Sequence, residues 1–156
     1  MMQAVSIRLG DRRDRDYVLD LGRRVAATSL SAIRPVPLAL AETAYDRLIA
    51  YIFTHEYDLL IAAEGARPCG FLLMLRDMPD EVTTTEQAFV AYMAVEPRAR
   101  RRGIGAALLR GAEDIARAHG LAFLSLMVTE TNVGARKLYE RCGLGTERRL
   151  MTKALE

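Results

Sequence analysis

Along this chain the apolar positions switch repeatedly between the spacing of strands and the spacing of helices. Val5 to Leu9 reads as a short first strand. Val18, Leu21 and Val25 then recur at helical spacing, with Asp11 as a cap. The stretch "IRPVP" stops that pattern, because Pro35 and Pro37 forbid regular helix and make a stiff, extended connector. A second helix fits Ala39 to Phe53, with Leu40, Tyr45, Leu48, Ile49 and Ile52 as its apolar side. Asp58 to Ala63 and Cys69 to Leu75 are apolar runs on either side of "EGARP" and read as a hairpin. "RDMPDEVTTTEQ" is a polar, acidic loop, and Phe89 to Val95 is the next strand, ended by Pro97. Gly103 to His119 is a helix with Ile104, Leu108, Ala112 and Ile115 as one stripe and Gly120 as its terminator. "LAFLSLMV" reads as a buried strand, Asn132 to Cys142 as a helix and Thr146 to Leu155 as a last strand. The order β-αα-β-β-β-α-β-α-β predicts an α+β fold with a mixed sheet covered by helices. It lacks the steady alternation of a doubly wound nucleotide-binding fold.

Composition narrows this picture only a little. A chain of 156 residues fits one domain over 1–156. Hydrophobic residues make up 51% and charged residues 27%, the profile of an ordinary soluble globular protein. No apolar run has the length of a signal peptide or a membrane span. Cys69 and Cys142 lie too far apart for a CxxC pair, and His55 and His119 are isolated, so no metal site is expected. The expectation is a reduced, cytoplasmic, metal-free protein. A net charge of +2 gives weak general attraction to nucleic acid, so the arginines matter through clustering.

That clustering occurs in "VEPRARRRGIGAALL", between a predicted strand and a predicted helix. Amides at a helix start lack intrahelical acceptors, and the helix dipole adds partial positive charge there, so a phosphate can satisfy them. Gly103 and Gly105 let a diphosphate approach without striking a Cβ, although a glycine pair at such a turn also fits tight packing. A P-loop needs a lysine that is absent here. A GxGxxG fingerprint needs glycine where Leu108 stands.

Val95-x-Pro97-x-x-Arg100-x-x-Gly103-x-Gly105 resembles the acyl-CoA signature of the GNAT superfamily of N-acetyltransferases. "LMVTETNVGARKLYERCGL" resembles its second signature, through Asn132, Ala135, Leu138, Tyr139 and Gly143. The resemblance implies a GNAT-like, mostly antiparallel sheet of six to seven strands with about four helices. Its implied cofactor is acetyl-CoA, with the amides of Arg101, Arg102, Gly103, Ile104, Gly105 and Ala106 on the pyrophosphate and Arg100 to Arg102 adding charge. Arg98 is equally suited to the phosphates or to a solvated surface. The strand before the signature is expected to part from the next one, so that the main chain of Met93, Ala94 and Val95 meets pantetheine. The Val95 N–H, or a near neighbour, is the implied oxyanion donor.

Asn132 and Tyr139 lie on one helix face, about 10 Å apart along the axis, with Ala135 leaving room between them. Asn132 also suits a helix cap. The resemblance gives Tyr139 the role of general acid toward the departing thiolate and Asn132 a cofactor contact. Cys142 reads as packing, since a cysteine nucleophile needs an activating base. The implied reaction is direct attack by a neutral amine in a ternary complex. The strand "FVAYMAV" lacks the glutamate often found there, which leaves Glu86, Glu42, Glu130 or water relayed by Tyr92 as routes for the amine's proton. Leu144 stands where an aromatic residue is usual.

For the acceptor, "TSLSAIRPVPLA" offers Ser29, Ser31 and Arg34, the last able to clamp a carboxylate. The acidic loop with Asp77, Asp80, Glu81 and Glu86 is able to draw in a cationic amine. Ser29, Arg34, Glu86 and Tyr92 are therefore the candidate substrate residues. Two other readings compete with the enzyme: a coenzyme A-binding module that has lost catalysis, and a basic patch for nucleic acid, which lacks interleaved aromatics. Dimers are common in the superfamily, and the last strand offers an edge for a homodimer.

Overall fold

The computed structural model describes residues 4–156. Five strands form one sheet in the order β1-β2-β3-β4-β5, comprising β1 (Val5–Leu9), β2 (Asp58–Glu64), β3 (Arg67–Leu75), β4 (Ala88–Val95) and β5 (Leu124–Leu126). The first four pair antiparallel and β5 joins β4 in parallel. Four helices flank the sheet: α1 (Arg15–Val25), α2 (Leu38–Ile52), α3 (Ile104–Ala118) and α4 (Val133–Arg141). The α+β fold class read from the sequence is the one observed.

Both faces of the sheet are covered, which is why β2 and β3 read as continuous apolar runs. Leu59, Ile61, Phe71 and Leu73 pack under Val18 and Leu21 of α1 and Ile49 and Ile52 of α2. Leu60, Ala62, Leu72 and Met74 pack on Ile104, Leu108, Leu109 and Ala112 of α3. Asp11 caps the chain as expected, through a reciprocal capping box: its carboxylate accepts from Arg13 N at 2.8 Å, and Asp14 accepts from Asp11 N at 3.0 Å. A 3-10 turn, Arg12–Asp14, leads from that cap into α1.

Helices α1 and α2 meet in an unusually close contact. Gly22 lies inside α1, where glycine costs helix stability, and a Cβ there would sit 1.9 Å from Tyr45 Cζ. The Tyr45 ring thus fills the space of a missing side chain, and its hydroxyl donates to the Val18 carbonyl at 2.6 Å.

Three expectations need correction. The sheet has five strands, not six to seven, because Thr146 to Leu155 forms no ladder among the described residues. That segment places Leu150 and Met151 side by side between charged residues, so no single face is apolar, and both side chains are exposed. The strand read from "LAFLSLMV" shrinks to Leu124–Leu126, with Phe123 and Met127 exposed on either side. On α2, Leu40 and Leu48 are exposed instead of buried, because the helix turns Tyr45, Ile49 and Ile52 to the sheet.

The feature that shapes the site is a bulge. Tyr92 pairs with Leu73 and Val90 with Met74, so Ala91 is an extra residue in β4. A bulge bends a strand and re-aims its side chains. Here Val90 packs toward α3, while Ala91 and Tyr92 both pack toward α1 and α2.

Candidate active site

Beyond the bulge, β4 leaves its neighbour. Its pairing with β5 covers Ala88 to Val90 only, while Tyr92 to Val95 continue to pair with β3. The parting of strands that the resemblance implies is therefore present. Glu96 N donates to Cys69 O at 2.9 Å, so the backbone groups of Glu96 face β3. Alternation along the strand then turns those of Val95 and Met93 toward the opening. The Val95 carbonyl is reached there by Arg100 Nε at 3.4 Å.

The arginine–glycine segment follows. A 3-10 turn, Pro97–Ala99, leads to Arg101 at φ +61° and Gly103 at φ +75°, on either side of Arg102. A left-handed conformation is uncommon for arginine and clusters at functional sites. Gly103 has nothing within 4 Å of the place a Cβ would occupy, so its conformation, not crowding, explains the glycine. Gly105 differs: a Cβ there would lie 2.7 Å from Leu138 Cδ2, so this glycine lets α4 pack on α3. The first helical bond runs from Ala107 N to Gly103 O at 2.9 Å. The amides from Arg101 to Ala106 donate to no protein acceptor among the described residues. They form a row of free N–H donors at the positive end of α3.

The arginines are not a free basic patch. Glu64, at the end of β2, accepts from both Arg98 (3.0 Å) and Arg102. Those two guanidiniums, Arg102 foremost, hold its carboxyl below the usual range. Arg24 of α1 binds Glu96 through two nitrogens, at 2.9 and 2.7 Å, and likewise keeps that carboxyl low. Arg101 is exposed and makes no side-chain bond among the described residues. No local signal announces the Glu64 and Glu96 pairings, which join residues far apart along the chain.

On α4, Asn132 caps the helix: its Oδ1 accepts from Ala135 N at 3.3 Å. Ala135 and Tyr139 follow on the same face, both half-buried. Burial, with a smaller contribution from the Tyr92 phenol, pushes the Tyr139 hydroxyl above its ordinary pKa, so it keeps its proton at neutral pH. Cys142 packs against the α3-side core, and both cysteines are free thiols.

Between α1, α2 and Tyr92 of β4 lies an open cavity of about 240 Å³. Its walls are Ala26, Ser29 and Leu30 from the segment after α1, Ala41, Ala44, Tyr45 and Leu48 from α2, and Tyr92 from β4. Tyr92 Oη lies 3.5 Å from Ser29 Oγ, and burial raises its pKa while that hydroxyl lowers it. Thr129, just ahead of α4, donates to the Ser29 carbonyl at 2.8 Å and so ties this wall to the α4 side. Of the candidate substrate residues, Ser29 and Tyr92 come together here. Arg34 instead reaches Thr152 at 3.4 Å, and Glu86 is exposed before β4, at the end remote from Val95. Glu130 pairs with Arg136, and neither it nor Glu42 lines the cavity. Tyr45 and the bulge at Ala91 were not singled out from sequence, since a helix stripe and an apolar strand announce only core.

Among the described residues no helix is long and apolar enough to cross a membrane. Residues 28–144 match the acetyltransferase (GNAT) family. An uncharacterized N-acetyltransferase of Bacillus subtilis, YhfO, is 33% identical over 96 residues, which are 62% of this chain and 64% of that protein, slightly under two thirds of its length. A Pyrococcus furiosus protein assigned as an acetyl transferase superposes with a TM-score of 0.83 at 25% identity, covering 97% of this chain and all of its own. A ribosomal-protein-alanine N-acetyltransferase of Brucella melitensis gives 0.71 at 22% identity, covering 98% of this chain and all of its own. The family match spans most of the sequence and includes both the free-amide row and the helix that carries Tyr139, and the chain belongs to the acetyltransferase (GNAT) family.

Proposed function

We propose that residues 1–156 form one acetyltransferase domain that moves an acetyl group from acetyl-CoA to a primary amine, in a reducing compartment such as the cytoplasm. The row of free amides from Arg101 to Ala106 carries this reading. A diphosphate satisfies such a row, and the open side of Gly103 leaves room for its approach. Bound acetyl-CoA supplies an activated thioester.

This chain's groups then divide the work. The parted edge of β4 offers the main chain of Met93 and Val95 to an extended arm. The Val95 N–H stabilises negative charge on the carbonyl oxygen as the amine adds. The C–S bond breaks as the new C–N bond is completed, and Tyr139 Oη gives its proton to the departing sulfur. Asn132 and Ala135 line the path between the cap of α4 and Tyr139. The amine's proton leaves by way of the Ser29 and Tyr92 hydroxyls to water. The Brucella neighbour is named for an alanine of a ribosomal protein, and small amines fit the same chemistry. Glu64 and Glu96 tie up much of the arginine charge, which disfavours a nucleic-acid patch.

Thermal unfolding with acetyl-CoA, coenzyme A, NAD and ATP in parallel tests the reading. A ligand at 100 times its dissociation constant stabilises by about 2.7 kcal/mol, several degrees for a domain of this size. Both coenzyme A species are expected to raise Tm, with NAD and ATP inert. Tyr139→Phe is expected to keep that shift and lose turnover. No shift with either coenzyme A species would overturn the reading, and a shift without turnover of any amine would leave a binding module instead.

A further inference from the structure

We infer that the acceptor is a small primary amine bearing an apolar group, and that the cavity between Tyr45 and Tyr92 holds that group. The inference rests on the acetyl-transfer reading above and names the substrate class it leaves open.

No lining residue carries a charge. Ala26, Ala41 and Ala44 make the space, and Leu30 and Leu48 bound it with two aromatic rings. The Tyr45 hydroxyl has given its one proton to the Val18 carbonyl, so it has no hydrogen to donate to a ligand. What remains is one hydroxyl pair, Ser29 and Tyr92, on the wall that Thr129 ties to the α4 side. A ligand fitting this arrangement has one polar atom and an apolar remainder. An ammonium group against these walls meets no counter-charge. The same environment favours the neutral amine, the form that can attack.

Size narrows the class further. An apolar cavity of about 150 Å³ admits benzene, and drug-sized ligands occupy about 300–1,000 Å³. A volume of about 240 Å³ therefore suits a phenyl ring on a short arm or a branched alkyl chain. A polyamine or an amino sugar would leave charges or hydroxyls unpaired.

The test compares kcat/KM for 2-phenylethylamine, isopentylamine, ethylamine and spermidine at fixed pH, ionic strength and acetyl-CoA. A single methylene in an apolar pocket discriminates by about 10–200-fold. At least a tenfold preference for the first two amines over ethylamine and spermidine is expected. Ala44→Phe, from an exposed position on α2, fills the cavity and is expected to cost at least tenfold with 2-phenylethylamine, to narrow its preference over ethylamine by the same factor, and to keep the acetyl-CoA shift in Tm. Leu48→Asn, also at an exposed position, is expected to act in the same direction and serves if the larger side chain prevents folding. Equal or better turnover of ethylamine or spermidine, with the acetyl-CoA shift intact, would overturn the apolar assignment alone. Loss of the acetyl-CoA shift in the wild-type protein would overturn the acetyl-transfer reading and this inference with it.

Discussion

Replacing Gly22 by alanine isolates the contact that holds Tyr45 in the wall of the apolar cavity. Alanine in a helix interior is worth about 1 kcal/mol over glycine, so propensity alone favours the change. The structure reverses the sign. A Cβ at this position would lie 1.9 Å from Tyr45 Cζ and 2.0 Å from its oxygen, well inside contact distance. The ring cannot yield cheaply, because it is buried, packs on Tyr92 with ring centroids 4.8 Å apart and donates to Val18 O. Losing that hydrogen bond costs about 1 kcal/mol, and the forced repacking about 1–3 kcal/mol. The net expectation is destabilisation by about 1–3 kcal/mol, or about 3–10 °C in Tm for a chain of this length. Urea and thermal unfolding of Gly22→Ala measure it. Gly111→Ala in α3 is the control, since its Cβ meets the flexible end of Leu60 at 3.0 Å and Ile7 Cγ2 at an ordinary 3.6 Å, and a change near zero is expected. A Gly22→Ala protein as stable as wild type, or more stable, would refute the notch argument. So would a double variant with Tyr45→Leu in which the two effects simply add.

Four further outcomes follow from named contacts. Among the described residues Tyr17 buries a hydroxyl with no protein partner, so Tyr17→Phe should raise Tm by about 2–4 °C, worth about 1 kcal/mol, and a fall would refute an unpaired hydroxyl. Glu64→Gln releases Arg98 and Arg102, so coenzyme A should bind more tightly at low salt with a steeper salt dependence, read by titration at two ionic strengths. Burial raises the hydroxyl pKa of Tyr45, Tyr92 and Tyr139, so these groups contribute stability that is complete below the ordinary tyrosine pKa of about 10 and lost as pH rises beyond it; the urea midpoint should hold at pH 8 and fall above pH 10. With an amine of pKa near 10, log kcat/KM should climb with unit slope from pH 6 to about 9, since no lining carboxylate offers its own ionisation, and a plateau near neutrality would reveal a protein base.

Much of this molecule was legible because its local signals agree. Proline marked the break at Pro35 and Pro37, Asp11 and Asn132 sit where caps are needed, and the stripe from Ile104 to Ala112 faces the core as its spacing requires. The free amides were legible too, since strand, arginine, glycine and helix follow one another within a few residues. What resisted reading depends on distant partners. Nothing near Glu64 announces that it joins Arg98 and Arg102, and nothing in "FVAYMAV" says that Ala91 is an extra residue. Strict alternation places Val90 and Tyr92 on one face, and the bulge puts them on opposite faces. The second glycine looked like Gly103 in sequence but serves packing, which only the position of Leu138 reveals. The last strand failed because its apolar residues are adjacent instead of alternating.

The chemistry of the site is lopsided, and the lopsidedness explains the pocket. Burial raises the pKa of both Tyr139 and Tyr92 above the ordinary phenol value, and Tyr139 is the proposed proton donor. Neither phenol is suited to take a proton at neutral pH. No carboxylate lines the cavity, and Glu42, Glu86 and Glu130 all lie outside its walls. On the proposed reaction a side chain supplies the acid and no lining carboxylate supplies a base, so the attacking amine is one already neutral, and the proton it sheds after addition leaves through the Ser29 and Tyr92 hydroxyls to water. The uncharged, apolar walls of this chamber offer the ammonium form no counter-charge. The bulge at Ala91 matters because it turns Tyr92 to that chamber while Met93 and Val95, one and three residues later, keep their backbone groups on the opening between β4 and β5. On that proposal a single irregularity in one strand sets the amine cleft beside the β4–β5 opening, and the Gly22–Tyr45 contact keeps its far wall in place.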